Sequence, residues 1–293
     1  MRFFVPVLLG AFLLLSLLDA ACSTGGGAGA ATSIQVKGSD TMVNLGGAWA
    51  EAFMARRPDV SVAVTGGGSG TGIAALANGT TDIAQSSRAI SQEERQKIAA
   101  AAGAEVREFV AGLDGVAVVV NPANPVDVLT LQQLSDIYSG RIRNWRDVGG
   151  RDQAMVVIAR DTNSGTHEFF KEHVVRFRDP SLEYGPNVMF LAASEAGVEE
   201  VASNPRAIAF VGLGYAARRD DLKVLRIRQD ADAPAVLPTA ETVRSGQYSI
   251  ARPLYLYTVG EPQGVVKEYI DWILGPEGQE IVRELDFIPV GQE

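Results

Sequence analysis

This 293-residue chain predicts an α/β fold with largely parallel sheets, on three observations. From Ser33 onward, short apolar runs alternate with amphipathic helical stretches. Gly/Ser-rich turns join several of those runs to the helix that follows. The composition, 46% hydrophobic and 21% charged, is that of a globular protein rather than a disordered one.

The elements follow in order. Ile34-Gln35-Val36 reads as the first strand, and Met42 to Arg57 as a helix stopped by Pro58, which has no N–H to continue it. Val60 to Thr65 alternates as a half-buried strand does. Ile73 to Ala77 opens a helix that ends before Asn78-Gly79, and Asp82-Ile83-Ala84 is a short strand. Gln92 to Ala102 is a helix closed by Gly103, which tolerates the left-handed conformation of a helix end. Val106 to Val110 and Val116 to Val120 read as two strands, the second broken by Asn121-Pro122. Leu131 to Ser139 is helical, Met155 to Ala159 a strand, and His167 to Val175 a helix. Glu195 to Ser203 (helix), Ile208 to Val211 and Leu254 to Thr258 (strands) and Val265 to Leu274 (helix) continue the pattern. Gly275-Pro276-Glu277 leads into a last helix near Gln279 to Glu284. Asn144-Trp145 and Trp272 read as packing anchors.

Charge and rare residues exclude several function classes. Lys plus Arg is 26 against 35 Asp plus Glu, a net charge of −9, and no basic cluster offers a stripe for nucleic-acid phosphates. The single Cys rules out an intrachain disulfide and cysteine-rich metal sites. His167 and His173 stand six apart, which suits no helical metal pair. No metal or cofactor is expected.

Residues 1–21 read as a signal peptide: Arg2, an apolar run from Phe3 to Leu18, then small residues before Cys22. The segment resembles a bacterial lipoprotein signal, with Cys22 as the lipidated residue and 22–32 as a flexible tether, although Asp19 stands where that signal has Leu. The alternative is an ordinary cleaved signal with an incidental Cys. Both readings place the protein outside the cytoplasm.

Three strand-to-helix turns share one chemistry: Gly38-Ser39-Asp40-Thr41, Gly66 to Gly72, and Arg160-Asp161-Thr162-Asn163-Ser164-Gly165-Thr166. Each brings hydroxyls and backbone N–H groups to a helix start, where the first donors lack intrahelical partners and a negative charge is favoured. Plain capping explains any one of them. Three in one α/β chain, one carrying Arg160, point to an oxyanion site beyond the strand ends, because a guanidinium fork matches phosphate oxygens. Catalytic readings fail on detail. The glycine loop has no P-loop Lys, and Gly67-Gly68-Ser69-Gly70-Thr71 ends in Thr where a nucleophile elbow needs Gly. Ser164 and His167 read as a cap and a surface group.

Eight segments in fixed order carry a resemblance. They are Lys37 to Met42, Gly67 to Gly72, Asp82 to Arg88, Gly112 to Pro122, Ile137 to Gly150, Arg160 to Thr166, Ala207 to Tyr215 and Arg252 to Tyr257. Together they resemble the phosphate-binding proteins of bacterial phosphate ABC transporters, the PstS family. The resemblance implies a type II periplasmic-binding-protein fold: two α/β lobes with a ligand cleft between them and two crossing segments. Residues 33–112 with 252–293 would form lobe I and 113–251 lobe II. It implies a monomeric, non-enzymatic receptor that captures inorganic phosphate between the lobes and delivers it to a membrane permease. Carried over by motif, the phosphate contacts are Thr41, Met42, Ser69, Arg160, Ser164, Gly165 and Thr166, with Ser87 at a further position of the site.

One departure bears on selectivity. Family members place an Asp that accepts the proton of monohydrogen phosphate where this chain has Ser87, followed by Arg88. A hydroxyl donates as well as accepts and cannot reject sulfate as a carboxylate does. Asp40 and Asp161 are the candidates for the acceptor role, with Ser39 beside them, and relaxed selectivity is the alternative. Arg88 reads either as a second positive charge for the anion or as the partner of one of these carboxylates. Competing functions are therefore a receptor for sulfate, molybdate or tungstate, and a secreted phosphate-ester hydrolase using Ser69 or Ser164.

Overall fold

The structure, a computed structural model, describes residues 32–291. The expected signal peptide and Cys22 with its tether, apart from Thr32, lie outside the described residues. No helix among those residues is long and apolar enough to cross a membrane.

The chain begins β1 (Thr32–Gly38), α1 (Val43–Arg56), β2 (Val60–Thr65), α2 (Ser69–Ala77), β3 (Ile83–Ser86), α3 (Gln92–Ala102) and β4 (Val106–Val120). Its middle adds β5 (Val128–Thr130), α4 (Leu131–Tyr138), β6 (Val156–Arg160), α5 (Gly165–Phe170), β7 (Val188–Leu191) and α6 (Ser194–Ser203). β8 (Ala207–Gly212), β9 (Lys223–Val224), β10 (Arg226–Arg228) and α7 (Ala240–Arg244) follow. β11 (Ala251–Val259), α8 (Gly264–Leu274) and α9 (Pro276–Glu284) close the fold.

One curled sheet runs β2-β1-β3-β11-β4-β8-β6-β7, with β9 also on β4. Its two wings are parallel, as helix crossovers require. Its centre is not: β11 is antiparallel to β3 and β4, and β4 is antiparallel to β8. The expectation of largely parallel sheets fails there because β4 and β11 join the wings rather than alternate with helices inside one.

β4 also corrects the reading of two strands at 106–110 and 116–120. It is one strand of 15 residues, roughly 50 Å at about 3.3 Å per residue. Gly112 and Gly115 do not break it, since both are paired with β11, and Ala111 is the extra residue of a bulge. Beyond Gly115 the strand changes partner to β8.

Helix starts move for local reasons. A 3-10 turn, Asp40–Met42, precedes α1, and α2 begins at Ser69, ahead of the expected Ile73. The helix read over 167–175 is α5, capped by Ser164, followed by a wider π-type turn at Lys171–Val175. β5, β7, β9, β10 and α7 were not legible, because two to five residues hold too few repeats to show a period.

Two large apolar groups fill the wings. Ile34, Leu45, Trp49, Phe53, Leu254, Tyr269 and Ile273 belong to one. Val116 to Val120, Leu134, Tyr138, Phe170 and Ile208 belong to the other. Burying each large side chain contributes about 1.5–3 kcal/mol. Trp145 is buried and donates to the Arg206 carbonyl at 2.9 Å, while Trp272 is partly buried against Phe53 and Tyr269.

Candidate oxyanion site

The three turns meet where the wings face each other. The β1–α1 turn supplies Ser39, Asp40, Thr41 and Met42, and the β2–α2 turn supplies Ser69. The end of β3 supplies Ser87, and the β6–α5 turn supplies Arg160, Ser164, Gly165 and Thr166. The Thr41 and Thr166 hydroxyls lie 2.8 Å apart across the cleft. The Ser39 hydroxyl donates to Ser87 Oγ at 2.9 Å, and the Ser87 N–H donates to Ser69 Oγ at 3.1 Å. All five residues are buried.

Glycine is required where the turns touch. A Cβ on Gly165 would stand 2.3 Å from Ser69 Oγ and 2.8 Å from Ser87 Oγ, inside any real contact. Gly68 has φ +93, and a Cβ there would stand 2.4 Å from the Asn163 carbonyl oxygen of the opposite turn.

Asp40 points away from its own helix. Its Oδ1 accepts from the Gly67 N–H at 3.0 Å and its Oδ2 from Arg160 Nη2 at 3.0 Å, so one carboxylate ties all three turns. Arg160 is 3% exposed at its side chain. Nε donates to the Leu191 carbonyl, Nη1 to Ser194 Oγ, and Nη2 to both Asp40 and the Ala192 carbonyl. Protein groups thus engage four of the five guanidinium donors. Burial lowers the Arg160 pKa, opposed by the charges of Asp40 and Asp161.

Other expected residues are placed differently. Ser164 Oγ accepts from the Thr166 and His167 N–H groups, and the Met42 N–H donates to the Ser39 carbonyl. Arg88 is turned to Glu94 and Glu168, at 2.7 and 2.8 Å, rather than to Asp40 or Asp161. Asp161 is half-buried and makes no side-chain hydrogen bond among the described residues. His167, read as a surface group, is buried: its ring packs on Tyr184 and its Nδ1 donates to the Arg160 carbonyl at 2.7 Å. Burial lowers its pKa, opposed by the bond to the Arg160 carbonyl.

Sequence reasoning missed four polar residues. Ser194 holds Arg160, and Tyr215, whose phenol burial pushes up to about 12, donates to the Asp40 carbonyl at 2.6 Å. Asp114 and Arg252 form a fully buried pair at 2.9 Å on β4 and β11. The available signal was a lone carboxylate inside the apolar run of β4 and an Arg opening an apolar strand. Among the described residues, no His/Cys/Asp/Glu group is arranged to hold a metal ion.

Two α/β wings joined by two long strands, with hydroxyls and guanidinium groups gathered between them, define a two-lobed solute-binding protein. The family described as PBP superfamily domain matches residues 23–277. The phosphate-binding protein PstS of Bacillus subtilis is 31% identical over 89% of this chain and 82% of its own length. That of Staphylococcus aureus strain USA300 is 31% identical over 92% and 83%. The chain belongs to the PstS family of phosphate-binding proteins. Among solved structures, a Clostridium perfringens protein assigned as a phosphate ABC transporter substrate-binding protein, with bound phosphate, matches with TM-score 0.78 and 32% identity. That match covers 89% of this chain and all of the other. A Vibrio cholerae ABC-type phosphate transport receptor matches with TM-score 0.70 and 28% identity over 88% of this chain and all of its own.

Proposed function

We propose that this protein captures inorganic phosphate between its lobes, outside the cytoplasm, and delivers it to the permease of an ABC importer. The observation that carries the reading is the convergence of three donor-rich turns from both wings, with Thr41 and Thr166 meeting across the cleft at 2.8 Å. The lobes are taken as 33–112 with 252–293, and 113–251, divided between the two large apolar groups. Thr41, Met42, Ser69, Ser87, Arg160, Ser164, Gly165 and Thr166 line the ligand. An entering oxyanion exchanges the hydroxyl–hydroxyl bonds of the cleft for bonds to its own oxygens. Arg160 contributes charge and its one remaining N–H rather than a free fork.

A receptor fits these contacts better than a hydrolase, because Ser164 Oγ caps α5 and His167 Nδ1 faces the Arg160 carbonyl. The protein is read as a monomer. Calorimetric titration with phosphate, sulfate and arsenate tests the function. Phosphate binding much tighter than sulfate binding is expected, and the reverse order would reassign the receptor to another oxyanion.

Asp40 is the acceptor of the phosphate proton in this reading, since it borders Thr41 and lies between the glycine turn and Arg160. Sulfate has no proton to share, so it would place two negative groups face to face in a desolvated site. Asp40→Asn is expected to narrow the phosphate-to-sulfate ratio by weakening phosphate, strengthening sulfate, or both. An unchanged ratio moves the acceptor role to Asp161 or the Ser87 hydroxyl.

Cys22 is read as the lipid attachment site and the only membrane contact of this protein outside its permease. The native protein is expected to enter the detergent phase, and Cys22→Ser to release it or block its processing. A Cys22→Ser protein that is processed and partitions like the parent rules the anchor out.

A further inference from the structure

We propose that Arg252, held by Asp114, is a specificity-determining binding residue that turns the Thr41 and Thr166 hydroxyls toward donating, offers its own Nη1 N–H to the ligand, and so favours the dianion of phosphate. The inference rests on phosphate as the ligand and deepens that reading. Arg252 lies on β11, where it meets both sides of the cleft. Its Nη2 donates to Thr166 Oγ1 at 2.9 Å and approaches Thr41 Oγ1 at 3.5 Å. Its Nε and Nη2 both donate to Asp114 Oδ2, at 3.2 and 2.9 Å, while the Leu213 N–H donates to Asp114 Oδ1 at 3.0 Å. The guanidinium also stands over the Phe169 ring, 5.3 Å from its centroid. Side-chain exposure of the pair is 1% for Arg252 and 0% for Asp114.

Two consequences follow from donor and acceptor chemistry. A guanidinium never accepts, so a hydroxyl bonded to it gives up one of its two lone pairs there and keeps its hydrogen for another partner, which biases it toward donating. Arg252 Nη1 is buried without a partner among the described residues, the one such guanidinium nitrogen in the site. In a planar guanidinium the Nη1 N–H parallel to the Nη2–Thr166 bond faces the same side, toward the cleft hydroxyls. A bound anion oxygen satisfies it.

The arrangement therefore suits a ligand rich in acceptor oxygens. Monohydrogen phosphate offers one O–H and three such oxygens; dihydrogen phosphate offers two of each. Asp40 takes one O–H, and a second meets Thr41 and Thr166 oxygens that already accept from Arg252, so it is poorly matched. Asp114 keeps this from becoming an unbalanced charge: with Arg160 beside Asp40 and Arg252 beside Asp114, the site holds two neutral pairs, and discrimination falls to the direction of its hydrogens.

The test is phosphate titration from mildly acidic to mildly alkaline pH for the parent, Arg252→Lys, and the charge-balanced double variant Arg252→Gln with Asp114→Asn. Each is checked for the parent's circular dichroism and unfolding midpoint. The parent's affinity is expected to rise as phosphate loses its second proton. The double variant is expected to bind about tenfold to a hundredfold more weakly at alkaline pH, the loss of one charge-assisted bond, with a flattened pH profile. Arg252→Lys keeps a buried cation beside Asp114 but has no fixed fork. It is expected to fold and still lose the slope, whereas a merely structural role predicts that Lys restores it. Retention of the parent's affinity and pH profile in either folded variant overturns the proposal alone. A parent that does not bind phosphate sinks both this proposal and the function it rests on.

Discussion

Arg160→Ala is expected to weaken phosphate binding by about 1.5–3 kcal/mol or more, the value of charge-assisted hydrogen bonding in a dry site. Arg160 contributes both charge and architecture. Arg160 brings a cation to the cleft, and its bonds to Asp40, Ser194 and the Leu191 and Ala192 carbonyls hold the β1–α1 turn against the β6–α5 turn. Alanine removes both contributions and leaves the Asp40 carboxylate beside the anion without its counter-ion. Arg160→Lys is expected to recover only part of the loss, since an ammonium cannot reach four partners in one plane. Calorimetry on folded variants decides the point, and an Arg160→Ala protein that binds like the parent would mean that the anion lies elsewhere.

The largest expected effect on stability belongs to Asp114. Replacing it by Ala leaves the Arg252 guanidinium buried without a counter-ion, at a cost of about 3–5 kcal/mol. That is a large share of the roughly 5–15 kcal/mol that holds a typical domain folded. Burial pushes the Asp114 pKa up, while the charge and N–H bonds of Arg252 push it back. Asp114→Ala combined with Arg252→Met removes both charges and is expected to regain part of the loss, because no charge is then left buried unpaired, while the Leu213 N–H still lacks its acceptor. Denaturant midpoints measure this. A single Asp114→Ala variant within about 1 kcal/mol of the parent would show that the pair is not the buried counter-charge described above.

Much of the fold was legible because its signals are local. Pro58, Asn78-Gly79 and Gly103 end helices through the backbone's own geometry, and the alternating apolar residues of β1 and β2 and the apolar run of β8 declare burial without reference to any partner. The turns at 38–41, 66–72 and 160–166 showed their chemistry in the same way, since hydroxyl, glycine and guanidinium groups at helix starts suit an anion wherever the fold puts them. The order of the motifs was enough to resemble the PstS family.

What the sequence by itself determined is therefore an α/β chain with three donor-rich turns and a cation, outside any nucleic-acid or cysteine-metal chemistry. Only the tertiary structure decided how those groups are used. The pairing of β4 first with β11 and then with β8 made one strand of two apparent ones and set the centre of the sheet antiparallel. That crossing buried Asp114 against Arg252, residues 138 positions apart, beneath Thr41 and Thr166. It also aimed Asp40 at Arg160 and turned Arg88 to Glu94 and Glu168 instead. Helix ends and apolar periods depend on neighbours within a few residues, so a sequence displays them. The partner of a buried charge depends on which distant strand lies beside it, and that is settled only when the sheet forms.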